Sequence, residues 1–368
     1  MNFKKIKIVD KFIFSQVFQA SLVCLFLFII VWIAPETLVR VIRKIFMEGL
    51  SIQGGLLTIF YELPKVLAKA LPVSVLLGSL FTFDKLSKDS ELTILRGIGL
   101  SFFRIMVPVL LLGTALSLGC YYVSDKLVPR ASIATKENQQ YNTHFVYVQK
   151  DEKERPKQGI IVSNFTPMGI KNVVVVNFAP DTHDDVASFK TILFATYALS
   201  FDNKWVLPRA TEYLINENGI FKSITTVENY ELLQGPEAKD VYRLMIDGTK
   251  RERAFTNAQL YRYVKLLKKQ DFDDEHNFML TKLYQRFLHP LTCILFALIG
   301  CLLGFAPPRS VRLVGFTLAV GFVFAYYITL PFFDLLAEKG VLWPFMSASI
   351  PIIGFIIAIF ITKKVKDL

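Results

Sequence analysis

The chain has 368 residues, of which 53% are hydrophobic, and a formal net charge of +11. This hydrophobic share is high for a water-soluble protein and low for one that lies wholly in lipid, so it predicts several membrane spans and one sizeable water-exposed domain. In a membrane protein, excess lysine and arginine is typical of a cytoplasmic surface near anionic lipid, and it does not indicate nucleic-acid binding.

The membrane part is predicted from six apolar runs, because a helix needs roughly 20 mostly apolar residues to cross a bilayer. The first run is too long for a signal peptide, has no clear small-residue cleavage site and is followed by further spans. The predicted spans are residues 12–34, 56–83, 102–124, 284–306, 311–333 and 345–362.

The basic residues of the short loops predict how these spans are oriented, because lysine and arginine accumulate on the cytoplasmic side. If the N-terminus is cytoplasmic, thirteen basic residues lie in the inner short segments and six lie in the outer ones. Both termini are therefore expected in the cytoplasm, and the long segment 125–283 is expected outside.

Residues 140–250 predict an all-β domain on the outer side. Short β-branched runs such as KNVVVVNF (171–178) and FKSITTVENY (221–230) are separated by turn residues, with no helical pattern between them. This pattern is typical of a sandwich, a jelly roll or an open barrel. No catalytic motif occurs here, and a helix at 256–275 is expected to return the chain to the fourth span.

The predicted fold class is an α-helical membrane protein with six transmembrane helices and an all-β, jelly-roll-like domain between the third and fourth. Its predicted parts are residues 1–124, with three spans and a short cytoplasmic helix at about 85–99; a β domain at 125–255; a connecting helical segment at 256–283; and three spans at 284–368.

A short polar helix is predicted in KLSKDSELTILRGIGLS (85–101), between the second and third spans. Ser87 or Asp89 could cap its N-terminus, where the helix dipole also favours Glu91. Gly97 is a suitable end. The segment is too polar to lie in lipid, so it is expected on the cytoplasmic face.

Two interpretations of this helix are open, and both start from a predicted apolar stripe of Leu92, Leu95 and Ile98. The helix could fit into a partner protein and transmit force to the adjacent spans, or it could rest on lipid headgroups. Because anionic lipid would repel Asp89 and Glu91, the acidic first turn favours the protein partner.

A second group of charged residues is basic and lies at the predicted outer side, where the positive-inside bias disfavours it. Charges at membrane depth usually face a cavity or a pathway, so these residues could bind the phosphates of an anionic lipid from the outer leaflet. They could also extend to ordinary headgroups or pair with nearby glutamates. The cavity is favoured for Lys65 and Lys69, and both interpretations stay open for the others. The full set is Arg40, Arg43, Lys44, Lys65 and Lys69.

The sequence predicts no cofactor and no metal site. The four cysteines all lie in apolar runs, and Cys293 and Cys301 lack the histidine or carboxylate neighbours of a metal site, so packing is the expected role. There is also no G-x-x-x-x-G-K-[ST] phosphate-binding loop anywhere in the chain, and no enzyme activity is expected.

Two long segments resemble one family. LPVSVLLGSLFTFDKLSKDSELTILRGIGLS (71–101) and FLHPLTCILFALIGCLLGFAPPRSVRLVGFTLAVGFVFAYYI (287–328) are similar to the signatures of the LptF/LptG lipopolysaccharide export permeases. The order of three spans, an outer β domain and three spans also resembles this family. The turn RSVR (309–312) differs from the glycine-containing turn expected there.

The resemblance implies a machine with several partners. Family members form a heterodimer of two permeases on a cytoplasmic ATPase dimer, and they move lipopolysaccharide from the bacterial inner membrane towards periplasmic β-jelly-roll bridge proteins. The helix after the second span would be the coupling helix, and basic residues near the first span would contact lipid phosphates. The acidic residue of the family's coupling helix matches Glu91. The full set of predicted coupling residues is Asp89, Glu91, Leu92, Leu95 and Arg96.

Two other functions remain possible from the sequence. One is a permease of the same design that carries another anionic lipid. The other is a membrane-anchored scaffold whose outer β domain binds proteins without transport. Identification of the bound lipid would separate the first from lipopolysaccharide export, and co-purification with an ATPase would exclude the second.

Overall fold

The structure is a computed structural model, which describes residues 8–137, 145–150, 155–166, 169–178, 189–201, 204–216, 220–234, 236–248, 250–270, 272–305 and 313–365. The chain divides into two compact units. One, the membrane unit, comprises Met1–Thr135 and Glu252–Leu368, and the other, the β unit, comprises Lys136–Arg251. The predicted turn at 309–312 lies outside the described residues.

Twelve α-helices occur in the described part of the chain, and all except α7 lie wholly or mainly in the membrane unit. They are α1 (Ile8–Ile33), α2 (Val39–Glu48), α3 (Ile52–Lys88), α4 (Glu91–Gly97), α5 (Phe102–Tyr122), α6 (Val128–Glu137), α7 (Pro236–Gly248), α8 (Asn257–Lys269), α9 (Asp273–Leu288), α10 (Thr292–Gly304), α11 (Leu313–Glu338) and α12 (Pro344–Val365).

Short segments of other helix types join some of these helices. The π-helical segments Ala34–Leu38 and Val123–Leu127 connect α1 to α2 and α5 to α6, and the 3-10 turn His289–Leu291 connects α9 to α10. Such π-helical segments are rare, and they are frequent at functional sites.

Six helical stretches in the described residues are long and apolar enough to cross a membrane, which confirms the predicted number of spans. The chain is therefore a multi-pass membrane protein. The stretches are Ile8–Ile33, Ile52–Lys88, Phe102–Thr135, Asp273–Gly304, Val314–Glu338 and Pro344–Val365.

The centre of the membrane unit is the close contact of α3 with α10. A Cβ atom at Gly304 would lie 2.5 Å from the Leu80 carbonyl oxygen and 2.8 Å from the Phe83 Cβ, so only glycine fits. Gly300, one turn earlier, meets the Leu76 carbonyl oxygen in the same way. The G-x-x-x-G spacing lets the two backbones approach, as is common between membrane helices.

In the described residues, the β unit contains one antiparallel sheet whose strands follow each other in chain order. Its apolar face includes Val173, Val175 and Leu193, all fully buried, while the intervening Val174 is only partly buried. This alternation is typical of a strand that buries one face and leaves the other partly exposed. The β domain between the third and fourth spans is thereby confirmed, with one difference: helix α7 follows its last strand, where no helix was predicted. The strands are β1 (Phe145–Lys150), β2 (Pro156–Thr166), β3 (Gly169–Phe178), β4 (Phe189–Phe201), β5 (Lys204–Ile215) and β6 (Phe221–Gln234).

The connecting segment is two helices rather than the single helix predicted at 256–275. Thr256 caps α8 through a capping box with Gln259, and α8 ends at Lys269 before α9 begins at Asp273. The Tyr263 hydroxyl donates to Glu275 Oε1 at 2.8 Å and joins the two helices.

The short helix between the second and third spans also begins later than predicted. Helix α3 continues through Lys88, and Ser90, with a φ of 60°, makes the corner before α4. The expected caps are wrong: Ser87 is buried and its hydroxyl donates to the Gly304 carbonyl oxygen at 3.3 Å, while Asp89 ends α3. The reason is tertiary, because continued helix buries Leu86 in the core.

Candidate functional site

Helix α4 is anchored in the membrane unit by its apolar residues. Leu92 is 1% exposed and belongs to the same buried cluster as Phe83, Leu86 and Phe102, and Leu95 packs against that cluster. Side chains of α3, α5 and α10 all contribute to the cluster. A displacement of α4 therefore has to move residues on these three spans, since close-packed side chains transmit strain.

The outward surface of α4 differs from the predicted stripe. Ile98, expected beside Leu92 and Leu95, is 71% exposed, because α4 ends at Gly97 and Ile98 lies beyond its last turn. The surface available to a partner consists of exposed Asp89, Thr93, Ile94, Arg96 and Ile98, together with partly buried Glu91.

Arg96 is one link between this surface and the end of α10. Its guanidinium carbon lies 5.3 Å from the centre of the Phe305 ring, one residue beyond α10. The acidic residues Asp89 and Glu91 lie at the other end of the segment. The surface thus carries opposite charges at its two ends, as a protein partner with a complementary groove would require.

A second candidate site is a cavity of about 300 Å³ in the membrane unit, lined mainly by α3, α9 and α11. Its charged lining has five basic side chains and two carboxylates, and its remaining lining is mostly apolar. The charged residues are Lys65, Lys69, Arg253, Lys282, Arg286, Glu252 and Asp334.

Three of the five predicted basic residues lie on or near one wall of this cavity. Lys65 and Lys69 both line it. Glu62 Oε2 lies 3.1 Å from Lys65 Nζ, and Glu62 Oε1 lies 3.4 Å from Nη1 of Arg40, so one carboxylate joins α2 to α3. Lys69 Nζ lies 5.1 Å from the centre of the Trp32 ring.

The other two predicted basic residues are placed differently. Arg43 is exposed and Lys44 partly buried, and the lining of the cavity includes neither of them. Both follow the π-helical segment on α2, where the chain continues as helix up to Glu48. Among the five candidates, the structure therefore brings Lys65 and Lys69 into the cavity and connects Arg40 to them through Glu62.

The opposite wall was not recognised from the sequence. Lys282 on α9 forms an ion pair with Asp334 on α11, and Gln285 Nε2 donates to Asp334 Oδ1 at 2.6 Å. A signal was present, because an aspartate inside an apolar run such as FTLAVGFVFAYYITLPFFDLL (316–336) is costly in a membrane and is usually paired.

Arg286, one turn beyond Lys282, serves a different purpose. Its Nη1 donates to the Phe255 carbonyl oxygen at 2.7 Å and its Nη2 donates to the Glu252 carbonyl oxygen at 2.5 Å. These bonds hold the segment before α8 against α9. Arg286 is therefore engaged with backbone groups, whereas Lys282 is engaged with carboxylates.

The innermost part of the cavity lies at the break between α9 and α10. The His289 Nδ1 and Tyr326 hydroxyl oxygen lie 2.7 Å apart and share a hydrogen bond. Next to them, the Tyr327 hydroxyl donates to the Lys69 carbonyl oxygen at 2.7 Å. Both tyrosine hydroxyl groups are therefore engaged in hydrogen bonds within the packed span.

Six spans interrupted by an antiparallel β unit define a class of protein, a multi-pass membrane protein with an inserted all-β domain. A family model described as "Lipopolysaccharide export system permease LptF/LptG" matches residues 11–364, which is nearly the whole chain. The chain belongs to this family of transporter permeases and has the lipopolysaccharide export function that the family indicates. No curated protein matches the chain.

Proposed function

We propose that this chain is a permease subunit of an ATP-driven exporter that extracts lipopolysaccharide from the inner membrane and passes it to a periplasmic β bridge. The observation that carries the proposal is the family match over residues 11–364, which covers the spans, α4 and the β unit together. The family match indicates the export function. The energy source, the partners and the direction of transport are what we propose.

The energy for transport comes from a separate cytoplasmic ATPase dimer, since the chain has no phosphate-binding loop. Helix α4 fits a groove of that ATPase. Asp89, Glu91 and Arg96 contact the partner, whereas Leu92 and Leu95 transmit its movement to the core, because they pack inward.

The chain pairs with a second, homologous permease in a bacterial inner membrane. Both termini face the cytoplasm and the β unit lies in the periplasm, as the bias of basic residues in the short loops supports. The β unit continues into periplasmic jelly-roll bridge proteins by adding strands to an edge of its sheet, β1 or β6, since an open edge pairs readily with another strand.

The cargo enters the cavity with its phosphates near Lys65 and Lys69. Both lysines lie in an apolar setting, where a charge-assisted hydrogen bond to phosphate is strong. Arg40 supports Lys65 through Glu62, and Arg43 and Lys44 on α2 attract phosphates outside the cavity.

Charge reversal on α4 tests the coupling. We expect Glu91→Lys to abolish lipopolysaccharide transport by the reconstituted complex without loss of membrane insertion, because it places a cation in the acidic first turn. Transport into acceptor vesicles and the amount of membrane-inserted protein are the two measurements. Glu338→Lys, an exposed charge reversal at the end of α11, is the matched control and should transport normally.

Normal transport by Glu91→Lys would refute the coupling role of α4. Purification of the wild-type complex in mild detergent, followed by mass spectrometry of proteins and lipids, tests the remainder. A co-purified ATPase with a lipid other than lipopolysaccharide would indicate another cargo, and absence of any ATPase would favour the membrane-anchored scaffold.

A further inference from the structure

The two carboxylates that line the cavity are both close to Lys282. Its Nζ contacts Asp334 Oδ2 and lies 3.8 Å from Glu252 Oε2. The side chains of Lys282 and Asp334 are only 19% and 9% exposed. A charged side chain this far from water needs a partner, and Asp334, the nearer of the two carboxylates, is that partner.

Asp334 has a second hydrogen-bond partner, Gln285, whose Oε1 also lies 3.5 Å from Lys282 Nζ. Gln285 Nε2 donates to the other Asp334 oxygen, Oδ1, at 2.6 Å. Gln285 and Lys282 lie three residues apart and thus on one face of α9. If the Lys282 ammonium turns to another anion, Asp334 keeps one hydrogen bond, so the exchange does not leave a bare carboxylate.

The side of the cavity formed by α3 repeats this arrangement. Lys65 Nζ lies 3.1 Å from Glu62 Oε2, and these side chains are 17% and 14% exposed. Each wall therefore presents a half-buried lysine that is already paired with a carboxylate. The excess of basic side chains in the lining attracts anions, and a phosphate monoester, with three acceptor oxygens and about −1.5 to −2 charges, binds an ammonium more strongly than a carboxylate does.

We propose that Lys282 is a phosphate-binding residue of the cavity and that Asp334 is its resident counterion, which the phosphate monoester of an anionic lipid replaces. The proposal rests on the proposed function, in which the cavity takes a phosphorylated lipid. When the phosphate binds Lys282, the Lys282–Asp334 ion pair between α9 and α11 is broken. The Gln285–Asp334 hydrogen bond then remains. Ligand binding thereby loosens the contact between these spans about two turns before the helix break at His289–Leu291.

The test measures lipid affinity of the full chain, with its co-purified partners, in phosphatidylcholine nanodiscs. The probe is bisphosphorylated lipid A, compared with the same lipid after phosphatase treatment and with inorganic phosphate as competitor. Lys282→Gln should weaken binding of the phosphorylated probe about tenfold, as expected for loss of one charge-assisted hydrogen bond, and Lys282→Arg should retain most of it.

Removal of the counterion should change the affinity for the probe in the opposite direction. Asp334→Asn should strengthen binding of the phosphorylated probe roughly three- to tenfold, because the competing charge is gone while Gln285 keeps a hydrogen-bond partner. Glu338→Gln is the matched control: it removes an exposed carboxylate one turn further along α11, outside the cavity lining, and should leave the affinity unchanged.

The direction of the affinity change in Asp334→Asn separates this exchange from a purely structural ion pair. A structural ion pair predicts weaker binding for both Lys282→Gln and Asp334→Asn, and that result would overturn the exchange. Equal affinity of the wild type for phosphorylated and dephosphorylated lipid A would overturn the phosphate-binding cavity itself. A wild type that prefers the phosphorylated form, with unchanged affinity in both variants, would overturn only the roles of Lys282 and Asp334.

Two further outcomes are defined. Full competition by inorganic phosphate at the probe's own concentration would show that the site takes the free ion, and would overturn the lipid as its ligand. If Asp334→Asn gives no folded protein, the Lys282→Gln and Lys282→Arg pair decides alone: loss in the first and retention in the second support the phosphate contact, and equal affinities refute it.

Discussion

The two candidate sites of the membrane unit are held together by different forces. Helix α4 is fixed by apolar side chains, with Leu92 enclosed by residues from neighbouring spans. The cavity is fixed by ion pairs and hydrogen bonds, among them Lys282–Asp334 and Lys65–Glu62. Apolar packing has no exchange partner and transmits displacement, whereas a lysine can leave its carboxylate for a stronger anion.

This difference fits the two tasks of the proposed function. A site that receives force, as proposed for α4, needs a rigid attachment, and a site that receives cargo, as proposed for the cavity, needs contacts that open and close. The close contact of α3 with α10 connects them, since α10 begins next to His289 at the cavity and ends at Gly304 near α4. We therefore expect substitutions in the packed region to cause large losses of folded protein or stability, and substitutions in the cavity to cause smaller losses that are independent of one another.

The largest effect is expected at the contact between α3 and α10. Gly304→Leu should give no folded protein, because a Cβ there would lie 2.5 Å from the Leu80 carbonyl oxygen and force the helices apart. Monodisperse yield in detergent, measured by size-exclusion chromatography, is the readout. Gly354→Leu on α12 is the control, since a Cβ there meets nothing within 4 Å. Equal yields would show that the packed region tolerates separation.

Much of this contact could be predicted from sequence, while the polar wall could not. Hydropathy is a local signal, so the spans could be predicted, together with a packing role for Cys293 and Cys301 and a cavity for Lys65 and Lys69. The apolar run around Asp334 indicates that this aspartate needs a partner, but Lys282 lies 52 residues away, and nothing local identifies it as that partner. The Ser87 cap failed for a related reason, because tertiary burial of Leu86 extended α3 past a good capping residue.

The next effect is expected at the anchor of α4. Leu92→Ala should lower the free energy of unfolding by about 2–5 kcal/mol, as is usual when a fully buried leucine is truncated. It should also reduce the lipid transported per ATP hydrolysed in the reconstituted complex, because α4 loses its hold on the core. Chemical unfolding in detergent and the transport-to-hydrolysis ratio are the measurements.

Ile94→Ala is the control for the anchor, since Ile94 lies on the same helix but is 63% exposed. Its effect on unfolding should stay within about 0.5 kcal/mol. If both alanine variants lose the same stability, α4 is not anchored through Leu92, and the contrast with the exchangeable cavity contacts disappears.

The smallest effect is expected from single hydroxyl groups in the cavity. Tyr326→Phe keeps the ring, which packs against Phe296 and Phe355, but removes the 2.7 Å hydrogen bond with His289. The free energy of unfolding should fall by about 1 kcal/mol, because a buried ring nitrogen is left without this partner.

Tyr327→Phe should lower the free energy of unfolding by less, because the Lys69 carbonyl oxygen that it frees lies within α3 and has a helical hydrogen-bond partner. Chemical unfolding of the two variants side by side measures the difference in stability. A larger loss for Tyr327→Phe would contradict the role of Tyr326 in positioning His289 at the break between α9 and α10.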